Sequence, residues 1–324
     1  MKAIVCPTYG PPEVLELRNV PKPVPKDNEI LIRNYATTIL MGDCEVRGFS
    51  FPHLSTGLRF LMRLGFGIKG PRKEILGQQL AGVVEEIGTN VTKFKPGDEV
   101  FACTGFGLGA YAEYKKISEK GIVALKPQNM SFEEASTIPV GGNEAYHFLK
   151  KARIQSGHKV LINGAGGSIG IIAVQLAKHY GAEVTAVDSN GKFEMLKSLG
   201  ADSCINYMQD DFWEYDDTYD VIFDVVGVTP FAAAMKSLNE NGIYLQGNGS
   251  ISRSNKTIAK GSNKLVFDNP ADYSVDQLNN LRELIEERRI RTFIDRTYNL
   301  EEMVEAHRFV ESGGKRGNAV VTIQ

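Results

Sequence analysis

The first third of the chain alternates apolar and polar residues in short runs broken by glycine, proline and asparagine. Such runs at Glu13–Val20, Ile30–Ile39, Leu80–Ile87, Glu99–Ala102 and Ala110–Lys115 predict strands half-buried on one face. Lys95-Pro96-Gly97-Asp98 predicts a tight turn, since proline presets φ and glycine supplies a positive φ. Strands this short and closely spaced predict a compact antiparallel barrel. Near Ser131 the rhythm changes, and Ser131-Phe132-Glu133-Glu134 has the form of a capping box opening a helix. Near-continuous apolar runs follow at Lys159–Asn163, Glu183–Val187, Cys204–Ile205, Tyr219–Val226 and Gly242–Leu245. They alternate with helical patterns at Ser168–His179, Lys192–Leu199 and Pro230–Leu238. Unbroken apolar runs suit a sheet covered on both faces, and this alternation predicts an α/β doubly wound parallel sheet. A helix over Val275–Ile290 is expected to close it, with Asn318–Ile323 a lone last strand free to return to the first domain.

Length and composition narrow the function classes. At 324 residues the chain is long enough for two domains with full cores. A formal charge of −2 gives no global reason to expect nucleic acid binding. Cys6, Cys44, Cys103 and Cys204 show no C-x-x-C spacing, so no zinc ribbon or thioredoxin-like motif is present. Scattered cysteines fit a reducing compartment. MKAIVCPTYG is too quickly broken by proline for a signal peptide, and no apolar stretch approaches a membrane span. A cytoplasmic protein is expected. His53, His147, His158, His179 and His307 show no paired ligand spacing. Glycine, at 33 residues, is about half again its usual share, and its placement proves informative.

Lys159–Asn163 runs directly into Gly164-Ala165-Gly166-Gly167-Ser168-Ile169-Gly170, giving strand, glycine turn and helix start in order. Gly164 permits the turn, Gly167 lets a pyrophosphate approach the backbone, and Gly170 lets the helix pack on the strand. Phosphates would then meet N–H groups at a helix N-terminus, where the helix dipole favours negative charge. Asp188, followed by Ser189, ends the second strand 18 residues after Gly170. A carboxylate there accepts ribose hydroxyls and repels a 2′-phosphate, which gives a modest preference for NADH over NADPH. Lys192 and Tyr207 pull the other way, since either can hold a 2′-phosphate.

At this point the chain resembles the medium-chain dehydrogenase/reductase superfamily, and within it the zinc-free quinone oxidoreductase-like branch. The resemblance runs over nearly the whole length, on MKAIV, PGDEV (96–100), GAYAEY (109–114), SGHKVLINGAGGSIG (156–170), KSLGAD (197–202), YDVIFDVVG (219–227) and EAHRFVESGGKRGNAVV (305–321). It implies a GroES-like β-barrel catalytic domain formed by residues 1–124 and 293–324. A Rossmann nucleotide-binding domain over 125–292 lies between, with the cofactor in the cleft, and a homodimer is expected. Zinc-dependent relatives carry ligands at positions matching Leu40 (with Asp43), Gly77-Gln78-Gln79 and Val140. None of these supplies a zinc ligand set, so no metal is expected. The implied reaction is NAD(P)H-dependent hydride transfer to a quinone or an α,β-unsaturated carbonyl.

By the same resemblance Gly167, Ser168 and Ile169 cradle the pyrophosphate, Val226 and Gly227 follow the adenosine, and Asn248 and Phe267 approach the nicotinamide half. Asp43 and Glu144 are the catalytic candidates. The branch often carries Asn where this chain has Leu40 and Thr where it has Glu144. Glu144 could bind ribose, supply a proton, or lie on the surface. Residues 50–73 hold Phe60, Leu61, Met62 and Leu64 among Arg59, Arg63, Lys69, Arg72 and Lys73. Three readings stand: an apolar lid over a bulky substrate, with Leu40, Phe60 and Met62 lining it; a membrane-touching amphipathic helix; or a helix packed on its own domain. An alcohol dehydrogenase, or a cofactor-binding adaptor with little turnover, are the rival functions.

Overall fold

The computed structural model describes residues 1–51 and 56–323; His53 and residues 52–55 of the apolar insertion lie outside the described residues. The strands in chain order are β1 (Lys2–Val5), β2 (Glu16–Asn19), β3 (Glu29–Thr38), β4 (Gln79–Ile87), β5 (Glu99–Cys103), β6 (Tyr114–Ser118), β7 (Ile122–Leu125), β8 (Lys159–Asn163), β9 (Glu183–Asp188), β10 (Ser203–Asn206), β11 (Tyr219–Asp224), β12 (Leu238–Gln246), β13 (Leu265–Phe267), β14 (Ile294–Asn299) and β15 (Asn318–Thr322). Two compact units form: Met1–Val140 with Ser274–Glu286 and Thr292–Gln324, and Gly141–Tyr273 with Glu287–Arg291.

In the first unit a seven-stranded sheet runs β14-β15-β3-β4-β5-β7, with β6 also on β3, and β1 and β2 form a separate antiparallel ribbon. β3 organises the sheet. Its first half, Glu29–Arg33, pairs with β6, and Ala36–Thr38 pairs with β15. The change of partner coincides with a register shift between Asn34 and Ala36, and such a bulge bends the strand. The last strand therefore joins the sheet built by the first third of the chain. Alternate residues Ile30, Ile32, Leu80, Val84, Val100 and Ala102 face one core cluster, as the period-2 pattern requires.

Several expected elements shift. Ala110–Lys115 is not a strand: β6 begins at Tyr114, while Ala112 makes an isolated bridge to Ala3 and Ile4 N–H donates to Tyr111 O at 2.8 Å. Glu13–Val20 splits into a 3₁₀ turn and β2, because Pro12 starts a turn that strand pairing cannot use. The helix expected over Val275–Ile290 spans Val275–Glu286, with Arg288 at a left-handed φ of 60° beyond its end. It belongs to the first unit rather than covering the parallel sheet, and Asn129 Nδ2 donates to its Ile285 O at 2.8 Å.

A second cluster of this unit surrounds His307, which is fully buried. Its Nδ1 lies 3.3 Å from Cys44 Sγ, and its Nε2 has no hydrogen-bond partner among the described residues. Burial, and then the Arg47 charge, press its pKa down to about 3. The folded pKa therefore lies below the unfolded value of about 6.5, so on acidification the unfolded chain takes up this proton first. Stability from this site is intact above that pH and falls by about 1.4 kcal/mol per pH unit towards the folded value. Denaturation of wild type and His307→Leu across pH 7 to 4 should show the wild type losing more stability than the variant. Parallel losses would show the histidine does not titrate this way.

The second unit holds a six-stranded, all-parallel sheet in the order β10-β9-β8-β11-β12-β13. The strand order reverses between β8 and β11. In open parallel sheets ligands bind at such a reversal, beyond the carboxyl ends of the strands.

Candidate functional site

The carboxyl ends of β8 and β11 meet through side chains: Asn163 Nδ2 donates to Asp224 Oδ1 at 3.0 Å. Asp224 is fully buried and also accepts the N–H groups of Gly227 and Thr229, each at 2.8 Å, and the Tyr244 hydroxyl at 3.1 Å. It thereby fixes the loop from Val225 to Thr229 after β11. Beyond Asn163 the chain turns at Gly164, whose φ of +82° a side chain would oppose. The helix Gly170–His179 then packs so closely that a Cβ on Gly170 would sit 2.3 Å from Gly164 O. At Gly167 the reverse holds. A Cβ there meets nothing nearer than Gly164 O at 3.7 Å, and the residue opens onto a cavity of about 410 Å³.

That cavity is lined by Asn163, Gly164 and Gly167 on one side, Asp188, Lys192 and Tyr207 on another, and Val226 and Val228 from the β11 loop. Val187 and the run Asp210, Asp211, Phe212 and Trp213 complete it, and none of that run is among the residues expected from sequence. An aromatic pair after two acids, shortly past a strand end, was the available signal.

Asp188 and Lys192, both in the cavity lining, pair with each other. Asp188 is only 4% exposed. Its Oδ2 accepts Gly166 N–H at 2.7 Å, while Oδ1 accepts Ser189 N–H at 2.8 Å and lies 2.9 Å from Lys192 Nζ. The carboxylate expected to bind ribose is thus engaged on both oxygens. Lys192, a candidate for holding a 2′-phosphate, is buried in an ion pair with it. Tyr207 stands at the mouth, 57% exposed. Ser168 is buried and Ile169 half-buried beside Gly167. Gly227 lies against Asn248, and Phe267 ends β13 with Lys151 Nζ 5.8 Å from its ring centroid. Asn248, just past β12, and Phe267, the last residue of β13, do not line this cavity.

Glu144, on the helix Pro139–Ala152, is half-buried and accepts the Tyr273 hydroxyl at 2.6 Å. Burial raises its pKa, and the Tyr273 hydrogen bond works against the rise. In the first unit Asp43 is fully buried. It accepts Leu40 N–H at 3.1 Å and Gln78 Nε2 at 3.2 Å, and burial pushes its pKa up to about 6. An enclosed carboxylate of this kind ties the Leu40 backbone to the Gln78 side chain. Leu40 itself is buried, Phe60 is 64% exposed and Met62 half-buried. The helix Thr56–Phe66 that carries Phe60 and Met62 has no buried residue, and its last residue, Phe66, packs half-buried against the core cluster around His307.

Comparisons with known proteins place these features. Residues 199–321 match the family described as zinc-binding dehydrogenase, and residues 26–127 the alcohol dehydrogenase GroES-like domain. The chain is 33% identical to 2-methylene-furan-3-one reductase of Solanum lycopersicum, over 99% of this chain and 79% of that protein. It is 30% identical to the chloroplastic NADPH-dependent alkenal/one oxidoreductase of Arabidopsis thaliana, over the same shares of 99% and 79%. Among solved structures, the quinone oxidoreductase from Coxiella burnetii superposes with a TM-score of 0.88 at 30% identity, covering 100% of this chain and 99% of that one.

Proposed function

We infer the reaction from kinship and site together: the chain belongs to the medium-chain dehydrogenase/reductase superfamily, in its quinone oxidoreductase-like branch, and is an oxidoreductase using a nicotinamide cofactor. The reaction we assign is reduction of quinones or α,β-unsaturated carbonyls with NAD(P)H, without zinc. One observation carries it: a glycine turn that opens a cavity at the reversal point of an all-parallel sheet, in a chain akin to reductases of such substrates.

The residues present fit a dinucleotide, because Gly167 leaves the space a side chain would fill. Gly167, Ser168 and Ile169 would hold the pyrophosphate against the N-terminus of Gly170–His179. Val226, Val228 and Trp213 offer apolar walls to the adenosine, while Asn248 and Phe267 are the proposed approach to the nicotinamide half. A nicotinamide held there would supply a hydride for the carbon β to the substrate carbonyl. This chain's own part is orientation, a dry site and a proton. Glu144 supports the last role, since burial holds its proton more tightly than an exposed carboxyl would. Leu40, Phe60 and Met62 are the proposed apolar contacts of the substrate. The residues do not fit zinc: Leu40 and Val140 carry no donor atom, and Gln79 Oε1 already accepts Val140 N–H at 2.8 Å.

The preference for NADH is proposed to be slight. Lys192 neutralises Asp188, which removes most of that residue's repulsion of a 2′-phosphate. Asp210 and Asp211, lining the same cavity, retain a smaller bias against it. Fluorescence titration should find NADH and NADPH bound within about tenfold of each other, about 1.4 kcal/mol. NADPH tighter by more than that would show that Lys192 and Tyr207 govern the choice. A cytoplasmic homodimer completes the proposal, supported by four free cysteines and by the family; light scattering reads the assembly. A panel of quinones and enones with both cofactors tests the reaction. Oxidation of neither cofactor would favour an adaptor, and alcohol turnover with stoichiometric zinc would favour an alcohol dehydrogenase.

A further inference from the structure

The helix Thr56–Phe66 has no buried residue, and from Thr56 to Leu61 it is exposed at every position. Its large apolar side chains are nonetheless presented to solvent: Leu58, Phe60, Leu61 and Leu64, continued by Ile68 and by Phe106 at 77% exposure. Phe66 packs edge-on against Phe106 with ring centroids 5.9 Å apart, so the helix and the 105–107 turn form one projection. The charges the segment itself carries are of one sign. Residues 56–73 hold Arg59, Arg63, Lys69, Arg72 and Lys73 and no acidic residue. Arg63 lies over the Tyr9 and Phe49 rings, and Lys73 Nζ donates to Phe106 O at 2.9 Å, which sets basic heads at the base of the apolar tip. Among the described residues no helix is long and apolar enough to cross a membrane.

We propose that this projection docks the protein on an anionic lipid surface. Apolar tips enter the headgroup boundary while basic side chains at their base meet lipid phosphates and carboxylates. A second copy of the chain is a poorer occupant, because an isologous contact would set this basic patch against itself. An acidic protein groove is poorer too. A groove covers one helix face, whereas this tip is exposed all round, and a lipid boundary needs no matching pocket. The docking rests on Leu58, Leu61, Leu64, Ile68 and Phe106, none of which is a proposed substrate contact, so it stands apart from the proposed reaction.

The test is co-flotation of the full chain with phosphatidylcholine vesicles, with and without phosphatidylserine. Binding should be at least tenfold tighter with phosphatidylserine and weaken as salt is raised. Leu61→Ser with Ile68→Ser should lower it at least tenfold, and Arg59→Glu with Lys69→Glu should abolish the dependence on phosphatidylserine. All four positions lie on the projection, and unchanged melting curves verify that these variants fold. Equal binding to both vesicles, or none, overturns the proposal. So does a concentration-dependent dimer lost in the Leu61/Ile68 variant, or binding to polyglutamate in place of vesicles.

Discussion

Gly167→Val is expected to fold normally and to bind the nicotinamide cofactor about a hundredfold more weakly, about 2.7 kcal/mol. A Cβ there meets nothing within the protein nearer than 3.7 Å and faces the cavity, so the fold is expected to tolerate the change. The same opening is the space the pyrophosphate would fill, and a branched side chain there also shields the helix N-terminus from it. Gly170 supplies the contrast. A Cβ there would lie 2.3 Å from Gly164 O and 2.5 Å from Ala165, so Gly170→Val should fail by misfolding instead. Cofactor titration beside thermal melts separates the two. Undiminished affinity in Gly167→Val would move the pyrophosphate away from this turn.

Asp224→Ala should strongly destabilise the second unit while leaving it able to fold. The carboxylate is fully buried and accepts four hydrogen bonds, from Asn163, Gly227, Thr229 and Tyr244. Alanine leaves these donors without their acceptor, and each buried orphan costs about 1–3 kcal/mol before relaxation. A loss of about 4 kcal/mol is expected. Asp224→Asn keeps one oxygen but turns an amide towards two donors, so its loss should fall between alanine and wild type. Trp213, the only tryptophan of the chain, lies in the same unit and reports its unfolding by fluorescence in denaturant. A change below about 1 kcal/mol in the alanine variant would mean that water or a shifted loop replaces the carboxylate.

The parts of the molecule legible from sequence are those set by local pattern. The glycine turn, the parallel strands and the Ser131 capping box all depend on neighbours in the chain, and the structure places them close to the expected residues. What was hidden depends on long-range pairing. The helix Pro139–Ala152 carries Gly141 and Gly142 in its first turn, which masks a helical pattern, yet a Cβ at 141 would lie 2.7 Å from Ser168 O. Strands β7, β13 and β14 are short or lie at sheet edges, where alternation is weakest. The site showed the same limit. Asp188 and Lys192 were both identified, but their pairing with each other, and so the cancellation of their opposite effects on a 2′-phosphate, required coordinates. Asp224 drew no notice, because only the fold brings its four donors together.

The central claim is hydride transfer to the carbon of a conjugated alkene, without metal. It is tested most directly with cofactor deuterated at the transferable position of the nicotinamide, an enone substrate, and protein stripped by a strong chelator. The account predicts a saturated ketone carrying one deuterium on the carbon β to the carbonyl. Deuterium on the carbonyl carbon of an alcohol product, or turnover that returns only when zinc is restored, would contradict it.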